Sequence, residues 1–133
     1  MRKAVIADTG PLFAAVDPQD RYHRRAREEA QRLVEDGLEV LVAYPTALES
    51  YTLLLYKLGA DSAFRWLNEI FAGASLVNPT VQDYRDAAAK VLRYPDQRIS
   101  LFDATVAVLA SRLKLSVWTY DHHFDLMRVQ VWR

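Results

Sequence analysis

The chain has no cysteine among its 133 residues. Disulfides, thiolate zinc sites and cysteine nucleophiles are therefore excluded. The sequence also has no excess of charge of one sign, because 17 basic residues balance 17 acidic ones. A generic nucleic-acid coat protein would be strongly basic, and this balance argues against that class. It leaves room for a nucleic-acid enzyme with local basic patches, since metal ions can cancel acidic charge at a site.

Long apolar segments are missing as well. No run of about 18 apolar residues occurs, so we expect no membrane-spanning helix. The apolar run near the N-terminus is too short for a signal peptide, and we expect a cytoplasmic protein. No internal repeat or low-complexity segment is visible. With 51% hydrophobic and 26% charged residues, the chain is expected to fold as a single globular domain over residues 1–133.

Short apolar stretches alternate with amphipathic ones along the chain, a pattern typical of strands and helices in turn. Strands are predicted at 3–7, 39–43, 75–77 and 116–119, with a further edge strand at 129–132. Helices are predicted at 11–16, 20–36, 44–58, 61–71, 80–92 and 100–114, and the segment 93–100 is predicted to be a mobile loop. The alternation favours an α/β fold with a small, four- to five-stranded, mainly parallel sheet flanked by helices on both faces.

Four acidic residues stand where this pattern turns from strand to helix. Asp8 and Asp121 follow predicted strands, and the carboxyl ends of strands are where open α/β sheets bind ligands. Glu49 and Asp103 lie in largely apolar helices, where an unpaired buried carboxylate is costly. Converging carboxylates would repel one another unless a divalent cation lay between them. The four acids together predict a Mg²⁺ or Mn²⁺ site of the kind used in phosphodiester chemistry.

Each acid taken singly also has an ordinary structural explanation. Asp8 could be a turn residue, since Asp bonds well to local backbone. Asp103 could complete a capping box with Ser100. Asp121 could cap the short segment that follows it. Glu49 is the hardest to explain in this way, because its helix looks buried on more than one face.

Four sequence motifs resemble those of PIN-domain nucleases. Asp8-Thr9-Gly10 after the first strand resembles the family's opening motif, and the helix that carries Glu49 follows a proline as in the family. The segment Ser100–Ala104 resembles the third motif, an Asp-Ala pair that opens a helix. The segment Thr119–Phe124 resembles the fourth, Thr-x-Asp-x-x-Phe, which is the most specific of the set. The chain is also close in size to VapC-type toxins of toxin–antitoxin pairs.

This resemblance implies a PIN-like fold and a Mg²⁺-dependent endoribonuclease that acts on RNA and is paired with an antitoxin. The four acids match the family's metal-binding residues. Thr9 and Thr119 match its hydroxyl positions, although a threonine at a strand end can equally well bond to backbone. Asp125, four residues past Asp121, is a candidate second-metal residue.

The mechanism that follows uses metal ions and no side-chain nucleophile. We hypothesise that one or two ions held by the four acids activate a water for in-line attack on the phosphorus and neutralise the developing charge. Oxygen ligands select hard cations over zinc. His122 and His123 beside Asp121 suggest a zinc site, but adjacent residues on a helix point about 100° apart. We therefore expect that they do not share an ion.

Two surfaces are candidates for contact with RNA or a partner. Arg93 and Arg98 flank the predicted loop and lie near Asp103 in sequence, so we expect them to contact phosphate. The helix at 20–36 carries five arginines, which either pair with its own glutamates or contact RNA or a peptide. The helices from 46 to 71 carry more apolar surface than two helix faces usually bury. A homodimer or a groove for an antitoxin segment would use this surface, and core packing is the alternative.

Three other functions compete with the toxin hypothesis. A phosphatase with an aspartyl nucleophile generally carries Asp-x-Asp after its first strand, and here Gly10 stands at the second acidic position. A PIN-domain enzyme that processes RNA without being a toxin would carry the same motifs. A non-catalytic PIN binding module would bind metal without cleaving RNA.

Overall fold

The structure of the protein is a computed structural model that describes residues 3–133, so the first two residues of the predicted domain lie outside the described part. Its strands are β1 (Ala4–Ala7), β2 (Glu39–Ala43), β3 (Ser75–Val77) and β4 (Ser116–Trp118). Its helices are α1 (Thr9–Val16), α2 (His23–Glu35), α3 (Tyr44–Leu58), α4 (Ala60–Gly73), α5 (Val81–Val91), α6 (Leu101–Leu113) and α7 (His123–Leu126). Over this range, every helix is too short or too polar to cross a bilayer.

The four strands form one parallel sheet in the order β3-β2-β1-β4. The chain moves from β1 to β2 and β3 in one direction, and β4 then pairs on the other side of β1. In such sheets a crevice opens at the carboxyl ends of the two strands where the order reverses, here β1 and β4. The predicted α/β fold is confirmed. The predicted edge strand at 129–132 is reduced to a single parallel bridge between Val131 and Val117.

Side chains alternate between the two faces of the sheet, and each face has its own core. On one face Ile6 and Leu41 pack with α6 and with Phe124 of α7. On the other face Val5 and Val42 pack with residues of α1, α2, α3 and α4. Helices therefore cover both faces, as predicted.

Two helix starts differ from the sequence prediction for local reasons. Helix α1 begins at Thr9 rather than Pro11, because Asp8 is extended (φ −89°, ψ 166°) and already stands at the N-cap. Proline is tolerated in the first turn, where its missing N–H has no helical partner. Helix α2 begins at His23 rather than at 20. The Asp20 carboxylate accepts the backbone N–H of Tyr22 at 2.8 Å and holds a turn there.

Helices α5 and α6 are joined by an ion pair in which the carboxylate is buried and the guanidinium is about half exposed. Asp83 is 2% exposed, and its carboxylate accepts two hydrogen bonds from the Arg112 guanidinium, at 2.9 and 2.8 Å. The same carboxylate accepts the backbone N–H of Thr80, which completes a capping box at the start of α5. Arg112 holds the pKa of Asp83 below its ordinary value of 3.8. The pair therefore stabilises the fold above that pH.

Asp83→Asn is expected to lower the free energy of unfolding at pH 7 by about 2 kcal/mol, because it leaves the guanidinium without a charged partner. Urea denaturation measures the change. The loss should shrink as the pH falls through the lowered pKa of Asp83, since protonation removes the same charge. Asp86→Asn is the control, because that exposed carboxylate on α5 only accepts a hydrogen bond from Gln82. Equal denaturation midpoints for the two variants would contradict the prediction.

Candidate active site

The four predicted acids come together at the carboxyl edge of the sheet. Asp8 directly follows β1 and Asp121 comes shortly after β4, and these strands are neighbours. Glu49 lies on α3, which begins where β2 ends, and Asp103 lies in the first turn of α6. All four side chains line one cavity of about 520 Å³, which we call the acid cavity. Its lining consists of Asp8, Thr9, Gly10, Asp20, Tyr22, Glu49, Ser100, Asp103, Tyr120, Asp121 and His122.

Asp8 is the most buried of the four acids, with 6% of the residue exposed. The Thr119 hydroxyl donates to its Oδ2 at 2.8 Å, and the backbone N–H of Asp8 donates to the Trp118 carbonyl at 2.9 Å. Burial raises the pKa of Asp8 from 3.8 to about 6, and the nearby charges of Asp121 and Glu49 add to the rise. The Asp8 carboxylate is therefore fixed in place and costly to ionise alone.

Asp103 shows the strongest sign of crowded negative charge. Burial, the charge of Asp8 and a hydrogen bond shared with the Asp121 carboxylate raise its pKa from 3.8 to about 8. Its backbone N–H donates to the Ser100 hydroxyl at 3.1 Å, so Ser100 caps α6 as predicted. The side chain of Asp103 lines the acid cavity instead of completing a capping box. Two carboxylates in hydrogen-bond contact need a proton or a cation between them.

Glu49 is held by a hydroxyl from the first motif. Thr9 donates to its Oε1 at 2.5 Å, and Ser50 in turn donates to the Thr9 hydroxyl at 3.4 Å. The expectation that α3 is buried on several faces was wrong, because Leu48 is 67% exposed and Glu49 is only half-buried. Glu49 reaches the acid cavity because the inner face of α3 lies against α1.

Asp121 has a local role and also contacts the other acids. Its Oδ1 accepts the backbone N–H of His123 at 2.9 Å at the start of α7. Its own N–H donates to the Thr119 hydroxyl at 3.0 Å. Because Thr119 also donates to Asp8, one hydroxyl fixes the spacing between two of the four acids. Asp121 is therefore both a turn residue and a wall of the acid cavity.

The donor set fits a hard divalent cation. All four acidic side chains offer oxygen ligands, which Mg²⁺ and Mn²⁺ prefer. A bound cation would offset the burial and the charge repulsion that together raise the pKa values of Asp8 and Asp103. The acid cavity has room for an ion with several of its waters, which is how Mg²⁺ is usually bound beside one or two carboxylates.

The histidines next to Asp121 lie closer together than we expected. Their ring centroids are 4.5 Å apart, and Nδ1 of His122 and His123 lies 3.7 and 3.3 Å from Asp121 Oδ1. Over residues 3–133, Asp121, His122 and His123 form a group whose three potential ligand atoms lie within 4.8 Å of one another. The assumed angle of about 100° does not apply, because His122 is the N-cap of α7 and only His123 lies within the helix. That the two histidines share no ion stays a prediction.

Three candidate residues lie outside the acid cavity. Asp125 forms an ion pair with Arg133 at 3.3 Å and lines a different cavity. Arg93 lines a cavity between α5 and α6. Arg98 is exposed and is absent from the acid-cavity lining. Nearness to Asp103 in sequence did not bring these arginines to the acids.

Some arginines of α2 pair with glutamates of the same helix, which was one of the two predictions for this surface. Arg24 and Arg25 pair with Glu28 and Glu29, each four residues along the helix, at 3.1 and 3.3 Å. His23 Nδ1–H donates a hydrogen bond to the Ala14 carbonyl at 2.7 Å, and the residue is half-buried, as expected of a structural histidine.

Sequence reasoning missed three residues that line the acid cavity: Asp20, Tyr22 and Tyr120. Tyr120 stands between Thr119 and Asp121, so the fourth motif itself contained a signal for it. Asp20 and Tyr22 precede α2, and nothing in their local sequence points to a site formed by β1 and β4.

Thr119→Val is expected to weaken Mn²⁺ binding about tenfold, because it removes the hydroxyl that orients Asp8 and spaces it from Asp121. Calorimetric titration of Mn²⁺ measures the change. Thr119→Ser keeps the hydroxyl and should bind like the unchanged protein. Thr52→Val is the matched control, since the Thr52 hydroxyl only bonds to the Leu48 carbonyl on the exposed side of α3. Unchanged Mn²⁺ affinity in Thr119→Val would contradict the role assigned to this hydroxyl.

Known proteins resemble this chain in sequence and in fold. The family model of the PIN domain matches residues 5–129. Ribonuclease VapC26 from Mycobacterium tuberculosis is 31% identical over an alignment of 128 positions, which covers 93% of this chain and 92% of that protein.

Solved structures share the fold at lower identity. VapC20 from Mycobacterium tuberculosis, described as a sarcin–ricin loop cleaving toxin, superposes with a TM-score of 0.84 at 19% identity over 98% of this chain and 99% of that one. VapBC2 from Rickettsia felis, solved with a DNA fragment from its promoter, gives 0.75 at 9% identity over 96% of each chain. The family model spans nearly the whole chain, and the identity to VapC26 extends over the same length. The chain therefore belongs to the PIN-domain family and is related to its VapC-type members.

Proposed function

We propose that this protein is a Mg²⁺- or Mn²⁺-dependent endoribonuclease and the toxin of a toxin–antitoxin pair. The observation that carries this proposal is the convergence of Asp8, Glu49, Asp103 and Asp121 on one cavity at the carboxyl edge of the sheet. The relationship to VapC26, which is named a ribonuclease, supports RNA as the substrate. The enzyme would act in the cytoplasm, where RNA and free Mg²⁺ are both present.

The chain's own residues bind, orient and exchange protons in this reaction. When bound, the cation supplies Lewis-acid chemistry, activating water and neutralising charge on the phosphate. Asp8 and Asp121 are held at a set spacing by Thr119, and Glu49 is oriented by Thr9. Asp103, with a pKa of about 8, gives up its proton as the cation binds. These residues form a rigid set of oxygen donors, and no side chain has to act as a nucleophile.

An antitoxin and a second copy of the chain are the proposed protein partners. VapBC-1 from nontypeable Haemophilus influenzae shares this fold with a TM-score of 0.72, and the resemblance of this chain to VapC-type toxins implies an antitoxin partner. The helices from 46 to 71 bury Leu54 and Trp66 but leave Tyr56, Phe64 and Phe71 between 53% and 83% exposed. Core packing explains the buried Leu54 and Trp66. The three exposed aromatic side chains are the surface proposed to contact a partner.

The proposal is tested first by metal binding and then by cleavage. Mn²⁺ is titrated into the unchanged chain and into an Asp8→Asn, Asp103→Asn double variant, with circular dichroism to confirm folding. Binding that disappears in the folded double variant supports one site built from these acids. RNA of a bacterial host is then incubated with the chain in Mg²⁺ and in EDTA. Cleavage only with Mg²⁺ supports the nuclease, and metal binding without cleavage favours the non-catalytic module.

The toxin role is tested separately from nuclease activity. Induced expression of the unchanged chain should arrest bacterial growth, while Asp103→Asn should not. Cleavage in vitro without growth arrest would favour a PIN-domain enzyme that processes RNA. A small antitoxin reading frame next to the gene would favour the toxin.

A further inference from the structure

A buried carboxylate lies outside the acid cavity but bonds to a residue that lines it. Glu29 faces inward from α2, and 8% of the residue is exposed. It is absent from the cavity lining, whereas its partner Tyr120 is part of that lining. A buried carboxylate is costly unless hydrogen bonds and an opposite charge stabilise it. The partners of Glu29 therefore show which part of the fold this carboxylate serves.

Both oxygens of Glu29 accept hydrogen bonds. Oε1 accepts the Tyr120 hydroxyl at 2.5 Å and the Trp118 indole N–H at 3.1 Å. Oε2 accepts Arg25 Nε–H at 3.3 Å, and this guanidinium is the opposite charge that the carboxylate needs. Burial and the hydrogen bond to Glu29 raise the pKa of Tyr120 above its ordinary value of 10, so its hydroxyl stays a donor at neutral pH. Bonds to a charged acceptor are stronger than neutral ones, so these contacts hold their donors firmly.

The two side chains that donate to Oε1 flank Thr119 in the chain. Trp118 is the last residue of β4, and Tyr120 follows Thr119. The hydroxyl of Thr119 donates to Asp8 Oδ2 at 2.8 Å and accepts the backbone N–H of Asp121 at 3.0 Å. The buried carboxylate is thus bonded to the residues on both sides of the hydroxyl that spaces two of the acids.

The segment 119–122 depends on such contacts because it lies between β4 and α7 and belongs to neither. A segment of this kind has no repeating ladder of backbone hydrogen bonds, so side-chain contacts contribute more to its position. The Tyr120 ring also lies 4.6 Å from the Tyr22 ring and 4.6 Å from the Arg25 guanidinium. Hydrogen bonding and packing therefore fix the same side chain, which is how a site is held to within a fraction of an ångström.

We propose that Glu29 is a positioning residue of the acid cavity. Through the side chains on both sides of Thr119, it fixes the segment that carries Thr119 and Asp121 relative to Asp8. Glu29 contributes no oxygen to the cation and acts only through these neighbours. This inference rests on the proposed function, which assigns a cation to the acids. It adds a residue of α2 that no motif connects with the site.

Calorimetric titration of Mn²⁺ tests this role. Glu29→Leu removes both acceptor oxygens and is expected to weaken Mn²⁺ binding about tenfold, as the loss of a partner behind a metal ligand typically does. Glu29→Gln keeps one oxygen for Tyr120 and Trp118, while the half-exposed Arg25 can turn to solvent. This variant should weaken binding by less than about twofold. Glu28→Leu removes an exposed carboxylate from the same helix and is the matched control for charge.

A double-substitution cycle separates positioning from a purely structural role. Circular dichroism first confirms that every variant is folded. If Glu29 acts through the Thr119 hydroxyl, Glu29→Leu should weaken Mn²⁺ binding by less than about threefold in the Thr119→Val background. A purely structural glutamate would lower the free energy of unfolding and leave the Mn²⁺ affinity of the folded chain unchanged. Losses that multiply in full would overturn the proposal.

Tyr120→Phe tests the same hydrogen bond from its donor end and decides the outcome if Glu29→Leu does not fold. The phenylalanine keeps the ring and its packing but removes the hydroxyl that donates to Glu29. We expect Mn²⁺ binding to weaken about threefold, the equivalent of one lost hydrogen bond of ordinary strength. Unchanged affinity in this variant would overturn the proposal.

Hydrogen exchange of the metal-free protein gives a readout that does not depend on the cation. The backbone N–H of Asp8 donates to the Trp118 carbonyl at 2.9 Å, and that of Asp121 donates to the Thr119 hydroxyl. In EDTA, Glu29→Leu should speed exchange of both amides about tenfold, because the segment opens more often. The amides of α5 should keep their rates, since a change there would indicate global destabilisation.

The outcomes distinguish this inference from the proposed function. Unchanged Mn²⁺ affinity in Glu29→Leu overturns the positioning role and leaves the nuclease standing. Equal weakening in Glu29→Leu and Glu29→Gln also overturns it, because both variants lose the charge and only one loses the acceptors. Unchanged exchange at Asp8 and Asp121 overturns it as well. Faster exchange there, in a protein whose unchanged form binds no Mn²⁺, would support the positioning of this segment and refute the proposed metal site.

Discussion

Asp103→Asn is expected to lower the rate of Mg²⁺-dependent RNA cleavage at least about a hundredfold while the fold stays intact. Asp103 shares a hydrogen bond with Asp121 and has its pKa raised to about 8, so it stands where negative charge is most crowded. Asn keeps the size and one oxygen but removes the charge that a cation needs. The loss is measured from initial cleavage rates at a fixed Mg²⁺ concentration. The rates are compared at about pH 7.5, close to this pKa, and at about pH 9, above it.

The control for this prediction is Asp86→Asn, an exposed acid of α5 on a different part of the surface. Its cleavage rate should match that of the unchanged chain. Full metal-dependent activity in Asp103→Asn would remove Asp103 from the site and leave its raised pKa as a structural consequence of burial.

Without divalent metal, the free energy of unfolding is expected to fall as the pH rises from about 4 to about 8. Burial and neighbouring acids raise the pKa of Asp8 to about 6 and that of Asp103 to about 8, both from 3.8. Between these values the folded chain binds more protons than the unfolded chain, so stability declines with increasing pH. For Asp103 alone, the pKa shift sets an upper limit of about 6 kcal/mol on the loss of unfolding free energy. The partial contact of Asp103 with water reduces the loss expected from this group to about 2 kcal/mol.

Thermal or urea unfolding in EDTA at several pH values measures this decline, and Asp103→Asn should flatten it by removing the ionising group. At about pH 8 the Asn variant should be the more stable protein in EDTA, by about 2 kcal/mol. Added Mn²⁺ should reverse the order, because only the unchanged chain gains full binding energy from the ion. A stability that rises with pH over this range, or an Asn variant with an unchanged slope, would contradict the prediction.

Most elements of the fold could be predicted from local sequence patterns. The bounds of β2 and β3 match the predicted ranges 39–43 and 75–77, because short Val- and Leu-containing stretches lie between clear helix ends and starts. The predicted helix end at 36 is one residue past the observed end of α2 at Glu35, and Gly37 follows with a φ of 68°. The acids at the ends of β1 and β4 were identifiable because parallel strands bring their carboxyl ends to the same edge.

Contacts between distant segments were not predictable in this way. Glu29 lies 91 residues from Tyr120, and the α2 sequence shows only a charged helix in which one glutamate happens to face inward. The exposure of Leu48 was missed because apolar composition does not reveal which face of α3 lacks a covering element. Arg93 was placed near Asp103 by sequence distance, whereas it lines a different cavity, together with residues of α5 and α6.

The position of β4 beside β1 has a consequence for the order in which activity appears during synthesis. β4 is the last strand to be made, and it supplies the carbonyl that receives the Asp8 N–H and leads into Thr119 and Asp121. A nascent chain that has not reached residue 121 can pair β1, β2 and β3 but has neither the hydroxyl that orients Asp8 nor the fourth acid. The site proposed for RNA cleavage is therefore complete only after translation has passed residue 121.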